Sequence, residues 1–462
     1  MVKTLISVDL SKPAWDQDPE KPLHNRWHPD IPAVATVKEG EVFKVECVDW
    51  TGGQISNDDS ADDVKNVDLS QVHYLSGPIA VENAEVGDLL KVELLNLGTL
   101  EDWGFTGTFH KDNGGGFLTD HYPEATKACW DFEGVYCSSR HIPGVRFAGL
   151  IHPGLIGTAP SKELLDMWNT REAQLQAELG TDREKTLCGC LATRPLACLP
   201  EATGSLLGKL GHFKHGAQDA TFDRVAAEAA RTVPGRENGG NCDIKNLSRG
   251  CAVYFPVFVP GANLSMGDMH FSQGDGEVSF CGAIEMSGWL ELKCTVIKGG
   301  MKLLPAVGPS PLSVNPLFEI GPLEPRYSEY IVFEGICVDE QGVQHFLDAS
   351  LAYKRAVLNA IKYLAQFGYT EEQVYLLLSC CPCEGRISGI VDVPNAVATL
   401  AVPLAIFDRD VRPSGTALAN LIAGVRVESS VAKESDTKAA PLPLDPKLAL
   451  CQPCTPPEPP TP

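Results

Sequence analysis

Between Arg236 and Glu285 the chain reads RENGGNCDIKNLSRG, then an apolar run VYFPVFVPGANL, then SMGDMHFSQGDGEVSFCGAIE. This stretch gathers Asn238, Asn241, Asp243, Asp268, His270, Gln273, Asp275, Glu277 and Glu285 into two turns separated by one strand-like segment. Glycine punctuates the turns, and glycine admits positive φ and close approach of the backbone to a ligand. Carboxylates, an amide and an imidazole converging on such turns are the donors that hard or borderline cations take. The same residue types make ordinary surface turns, but the intervening Tyr254–Val259 run is too apolar for an exposed loop. Asp268 and His270, two apart at a strand end, point the same way. Asp243 and Glu285 would complete a set of oxygen and nitrogen ligands. A divalent cation is therefore expected, zinc ahead of calcium because a histidine is present. Such an ion polarises a carbonyl and acidifies its water. On this reading Asp243, His270 and Glu285 take part in the chemistry, and Asp275 or Glu277 moves protons. Asn241, Gln273 or turn N–H groups hold the substrate. Glu285 interrupts an apolar strand, where a carboxylate is costly unless paired or bound to a cation.

Other candidates compete with this set. Cys242, between Asn241 and Asp243, keeps a thiol nucleophile open, although a neighbouring carboxylate favours the protonated thiol. Cys380, Cys381 and Cys383 follow a helical pattern with no adjacent base, and Cys188 and Cys190 lack a partner pair for zinc. Buried thiols are the default for all of these. The acidic run with Asp58, Asp59, Asp62 and Asp63 reads as a solvated loop. Gly114–Gly116 lacks the Lys-Ser/Thr ending of a phosphate loop.

Arg236–Gly250 and GDMHFSQGDGE from Gly267 closely resemble the paired signatures of the acetamidase/formamidase family, amidohydrolases that release ammonia from very short amides. Further landmarks are DWGFTG around Trp103, Gly114–Phe117, HPGLIGTAP from His152, GAIEMSGW from Gly282 and GRISGIVDVPNAV from Gly385. The resemblance covers roughly residues 1–415 and is closest to the formamidase branch. It implies hydrolysis of formamide to formate and ammonia, a small neutral amide as substrate, and a homo-oligomer. It places His152 at the substrate, with His110 and Asp112 near the site. Three routes to amide hydrolysis are then open. A Ser-Ser-Lys amidase would need a Gly/Ser-rich signature that is not visible. A Glu-Lys-Cys thiol enzyme lacks a convincing trio beyond Cys242. Water attack assisted by a metal uses the most residues of the central stretch. A non-catalytic amide- or urea-binding scaffold stapled by a metal is the alternative from another class.

The rest of the chain must position these groups. With 462 residues, 44% hydrophobic and 21% charged, it has the composition of an ordinary globular protein. A net charge of −22 argues against nucleic acid and anionic membranes, which basic patches hold. Sixteen scattered cysteines and the lack of a signal peptide or membrane-spanning run point to the reducing cytosol. The fold class expected is α+β, predominantly β, with a sandwich- or barrel-like core, peripheral helices and a C-terminal α/β portion. Residues 1–160 read as β-rich behind an extended arm, 161–235 as a helical insertion and 236–345 as β-rich again. Residues 346–425 read as α/β, and 426–462 as a disordered Pro-rich tail. Pro256 suggests an edge strand or a bulge for VYFPVFV. Helices are expected from Ser161 to Gly180, over 222–232, from Ala349 to Gly368, and after a capping box at Thr370–Gln373.

Overall fold

Alternation along the sequence becomes alternation in burial. Val42–Cys47 buries every second side chain, as does most of Gly288–Ile297. They sit inside a six-stranded sheet in the order Lys3–Ile6, Val42–Cys47, Gly288–Ile297, Leu89–Thr99, Ala252–Pro256, Leu317–Glu319. The computed structural model describes residues 2–179, 199–214, 219–322, 326–391 and 393–413. Cys188, Cys190, Cys198, the expected helix end at Gly180 and the tail 426–462 lie outside the described residues.

A second, eleven-stranded sheet carries Thr126–Glu133, Trp103–Thr108, Phe280–Met286, Leu264–His270, His152–Gly157 and Gly239–Asn241 side by side. Leu75–Val81 joins it along Leu264–His270. Phe43, Val45, Val92 and Leu290 of the first sheet meet Ile79, Met266, Met269 and Ile284 of the second in one core. The result is a β-sandwich within an α+β fold. Strands from the first 160 residues and from 236–297 alternate within both sheets. Ser287 is the crossing point, because Phe280–Met286 belongs to one sheet and Gly288–Ile297 to the other.

Ala252–Pro256 corrects the edge-strand expectation. It pairs with Leu89–Thr99 on one side and Leu317–Glu319 on the other, and Pro256 merely ends it opposite Leu89. The extended arm is also more integrated than its composition suggested: Lys3–Ile6 joins a sheet and Trp27 is fully buried.

Lys162–Leu179 starts at Ser161, whose Oγ accepts from the Leu164 N–H. The helix expected over 222–232 runs Ala220–Glu228 under an Asp219 cap, because Ala230–Arg231 already pairs with Arg26–Trp27. Ala349–Leu364 packs on a small sheet of Tyr330–Ile336, Val397–Pro403 and Glu384–Gly389. Glu371–Cys380, opened by the Thr370/Gln373 capping box, lies against Phe280–Met286 and Trp103–Thr108. The eleven described cysteines are free, and all but Cys242 are buried. No described helix is long and apolar enough to cross a membrane.

Candidate active site

The strand Leu264–His270 changes partner halfway along one edge. Its first half pairs with Leu75–Val81, whereas Met269 and His270 pair with Met286 and Glu285. His152–Gly157 follows it along the other edge. Asp268 sits at the hand-over, with φ at +53°. Two strands that share one edge must diverge, and the wedge between them is a cavity of about 440 Å³. Asp243, Asp268, Glu277, Glu285, Asn241 and Gln273 line it, with Trp50, Val72, Phe109 and Phe280 among its apolar walls.

His270 lies behind Asp268 and Glu285 and is fully buried. Its Nε2 is 3.0 Å from Glu285 Oε2 and 3.2 Å from Asp268 Oδ1. Its Nδ1 is 3.1 Å from Gln273 Oε1 and 3.3 Å from His152 Nε2. The Gln273 Nε2–H donates to the Asp243 carbonyl at 2.7 Å, so one amide ties the imidazole to the turn carrying Asp243. With Nδ1 turned to Gln273, Nε2 faces the carboxylates. Glu277 Oε1 accepts from the N–H groups of Gly282 and Ala283. Asp243, Asp268 and Glu277 have φ of +48°, +53° and +41°. Left-handed non-glycine residues cost about 1–3 kcal/mol each, persist only where the surrounding structure holds them, and cluster at active sites.

Three of these groups converge over Gly154. A Cβ at that position would lie 2.5 Å from His270 Cε1, 2.7 Å from Asp268 Oδ2 and 2.8 Å from Asp243 Oδ1. The missing side chain leaves a cradle. The Gly154 carbonyl accepts from the Cys242 and Asp243 N–H groups, which holds that turn over it. Asp243 Oδ1, His270 Nε2 and Glu285 Oε2 are buried without a well-aligned hydrogen bond among the described residues. The chemistry of the set fits a cation: donor atoms of Asp243, Asp268 and His270 lie within 4.8 Å of one another, as do those of His270, Glu277 and Glu285.

The electrostatics show the same excess of negative charge. Burial, then Glu277 and Asp268, pushes the Asp243 carboxyl well above its usual range. Burial lifts Glu277 to about 8 and Glu285 to about 7. Burial opposes a charged His270, yet Glu285 and Asp268 hold its imidazole well above the ordinary value. Burial would also raise Asp268, but the His270 charge keeps it below the usual carboxylate range. Four carboxyls around one imidazole cannot all ionise out of water without further positive charge.

Some of the residues singled out in the sequence lie elsewhere. Asp275 faces away from the cavity: its Oδ1 is 3.0 Å from Lys245 Nζ and its Oδ2 accepts from the Gly385 N–H. The turn that aims Glu277 inward aims Asp275 outward. His152 lies beneath the cavity, with Nε2 2.8 Å from Gln273 Oε1 and Nδ1 2.7 Å from the Leu150 carbonyl. Gln273 borders the cavity, with both ends of its amide engaged by protein. His110 pairs with Asp112 and Glu124, both largely exposed. Cys242 does line the cavity, but burial and then Asp243 push its thiol up to about 12. Cys381 and Cys383 are buried with their sulfurs 3.0 Å apart. Sequence reasoning missed Gly154, Trp50, Val72, His73, Phe109 and Phe280. Only Gly154 carried a signal, as the third residue of HPGLIG.

The model of the "Acetamidase/Formamidase family" matches residues 7–409. A formamidase of Methylophilus methylotrophus is 55% identical over 415 residues, spanning 89% of this chain and 96% of that protein. An acetamidase of Mycolicibacterium smegmatis is 51% identical over 395 residues, or 83% of this chain and 91% of that one. Among solved structures, a gamma lactamase from Delftia acidovorans superposes with a TM-score of 0.80 at 54% identity, covering 89% and 95% of the two chains. The chain belongs to the acetamidase/formamidase family.

Proposed function

We propose that this chain hydrolyses the C–N bond of short primary amides, formamide foremost, to the carboxylate and ammonia, in the wedge over Gly154. The observation that carries this reading is the cradle itself, where Asp243, Asp268 and His270 converge on a point that a methyl group would fill. The relatives named formamidase and acetamidase support the reaction class. The same donors suit a divalent cation, zinc ahead of calcium because the nitrogen ligand favours it. When bound, such an ion supplies Lewis acidity that polarises the amide carbonyl and acidifies water.

The chain's own groups do the remaining work. Asn241 donates its Nδ2–H to the Val233 carbonyl at 3.0 Å, and its buried Oδ1 has no hydrogen-bond partner among the described residues. That oxygen accepts an N–H of the substrate amide. Glu277, held by two backbone N–H groups, takes the proton from the attacking water and delivers it to the leaving nitrogen. Glu285 holds the His270 imidazole from the opposite side to Gln273. Asp275, His152 and Cys242 have no direct part. Burial of His270 and Glu285 favours an enzyme over a scaffold whose ion faces bulk water. Free cysteines support a reducing cytosolic setting. A homo-oligomer agrees with large exposed side chains such as Phe346, Ile387 and Val391.

Ammonia and formate release from formamide by the purified protein and by His270→Ala tests this. The reading expects a loss on the order of 10³-fold in a folded variant, and near-normal turnover by folded His270→Ala would refute it. The cavity volume favours one second reading. About 440 Å³ far exceeds what formamide fills, and Trp50, Val72 and Phe109 offer apolar surface. A small lactam fits the same chemistry, as the name of the Delftia relative suggests. Ring opening of 2-pyrrolidinone measures it.

A further inference from the structure

Phe280 stands between two cavities. It lines the reaction cavity and, together with Gly276, also lines a second one of about 360 Å³. That second cavity lies outside the Gln273–Glu277 turn, with Val278, Tyr353, Ile387 and Ala398 as its apolar surface and Ser350 at its exposed rim. The backbone at Phe280 has φ of +75°, a conformation that a bulky side chain rarely adopts. It is held there by its N–H donating to the Glu277 carbonyl at 3.0 Å and by pairing with Thr108. Glycine would take this turn without strain, as Gly276 does four residues earlier at +92°.

We propose that Phe280 is a specificity-determining residue. Its ring is a wall shared by the two cavities, and the cavity beyond it is a latent subsite for the aliphatic or aryl substituent of a longer primary amide. This rests on the amidohydrolase reading above. The reaction is unchanged: R–CO–NH2 and water give R–COO⁻ and NH4⁺, with no added co-reactant. Residue 280 sets only whether R can extend from the reaction cavity into the second one.

The test compares kcat/KM for hexanamide and phenylacetamide with kcat/KM for formamide, on the same preparations of holoenzyme. In Phe280→Ala and Phe280→Gly the ratio of long to short amide rises by about tenfold or more, the scale on which apolar pockets discriminate. Phe280→Gly also unfolds at a higher temperature than Phe280→Ala, because glycine is at ease at this φ. Adding Ser350→Trp, which fills the second cavity from its rim, returns the ratio to near the wild-type value. An unchanged ratio in both single variants overturns the proposal, as does a gain that survives Ser350→Trp. Loss of formamide turnover in the wild-type protein counts instead against the amidohydrolase reading.

Discussion

Replacing Gly154 with alanine places one methyl group where the account puts the reaction. The backbone at 154 lies outside the left-handed region, so alanine meets no conformational penalty there and the effect is purely steric. The new carbon would stand 2.5, 2.7 and 2.8 Å from atoms of His270, Asp268 and Asp243, whereas ordinary contact begins at 3.4 Å. Relief therefore requires about 0.6–0.9 Å of movement from each neighbour. None of the three is a loose chain end. His270 is clamped by Gln273 and Glu285, Asp268 leans on His270, and Asp243 is fixed by its strained backbone and the Gly154 carbonyl. Misplacement on the order of 1 Å costs about 10²-fold in rate, or roughly 2.7 kcal/mol in the barrier. Overpacking adds about 1–3 kcal/mol of destabilisation, which heating detects as a small drop in Tm. The assay is ammonia release from formamide, with metal content per chain and thermal unfolding on the same sample. A folded Gly154→Ala protein with wild-type turnover and wild-type metal content refutes the cradle.

Other outcomes follow from the same geometry. Glu285→Gln keeps the shape but removes the charge that holds the His270 imidazole, so turnover falls on the order of 10²–10³-fold with the fold intact by circular dichroism. Cys242→Ser retains turnover to within about threefold, because a thiol pushed up to about 12 is no nucleophile near neutrality; thiol alkylation of the wild type checks the same point. Asp275→Asn weakens the Lys245 pair and lowers Tm slightly while turnover stays within about tenfold. Acid stability has a distinct source in His24, which burial pushes down to about 4. The unfolded chain titrates this group near 6.5, so it binds the extra proton between those values. A contribution of roughly 3 kcal/mol is present above pH 6.5 and is lost as pH falls to 4. Denaturant unfolding at pH 4, 5 and 6.5 shows a flatter acid limb in His24→Gln.

Where function could be read from the sequence, side-chain chemistry was dense. Asp268, His270 and Glu285 stood out because charged groups interrupt apolar strands only at a cost, and all three meet in the wedge. Asp275 and Glu277 could not be separated, since a turn decides which carboxylate faces inward and composition is blind to turn direction. His152 and Gln273 were placed in the right neighbourhood, but only geometry shows that each has both polar ends engaged by protein. Gly154 contributes by lacking a side chain, so no inventory of reactive groups finds it. The apolar wall came from far along the chain: Trp50 and Val72 precede Asp268 by about two hundred residues, and the pairing of Leu75–Val81 with Leu264–His270, with the Tyr74 N–H on the Trp50 carbonyl, brings them to the site. The β-rich class was legible from alternation in Val42–Cys47 and Gly288–Ile297. Pro256 misled because proline marks an edge only when its N–H side must pair, and here the strand stops at that residue.

The most direct test of the central claim removes and restores the cation on one preparation. Purified protein is assayed for ammonia release from formamide and for metal content, before chelation, after it, and after titration with zinc. The account predicts that turnover falls with bound metal and returns at about one equivalent per chain. Metal-free protein with undiminished turnover would contradict it and return the search for a nucleophile to the side chains of the cavity.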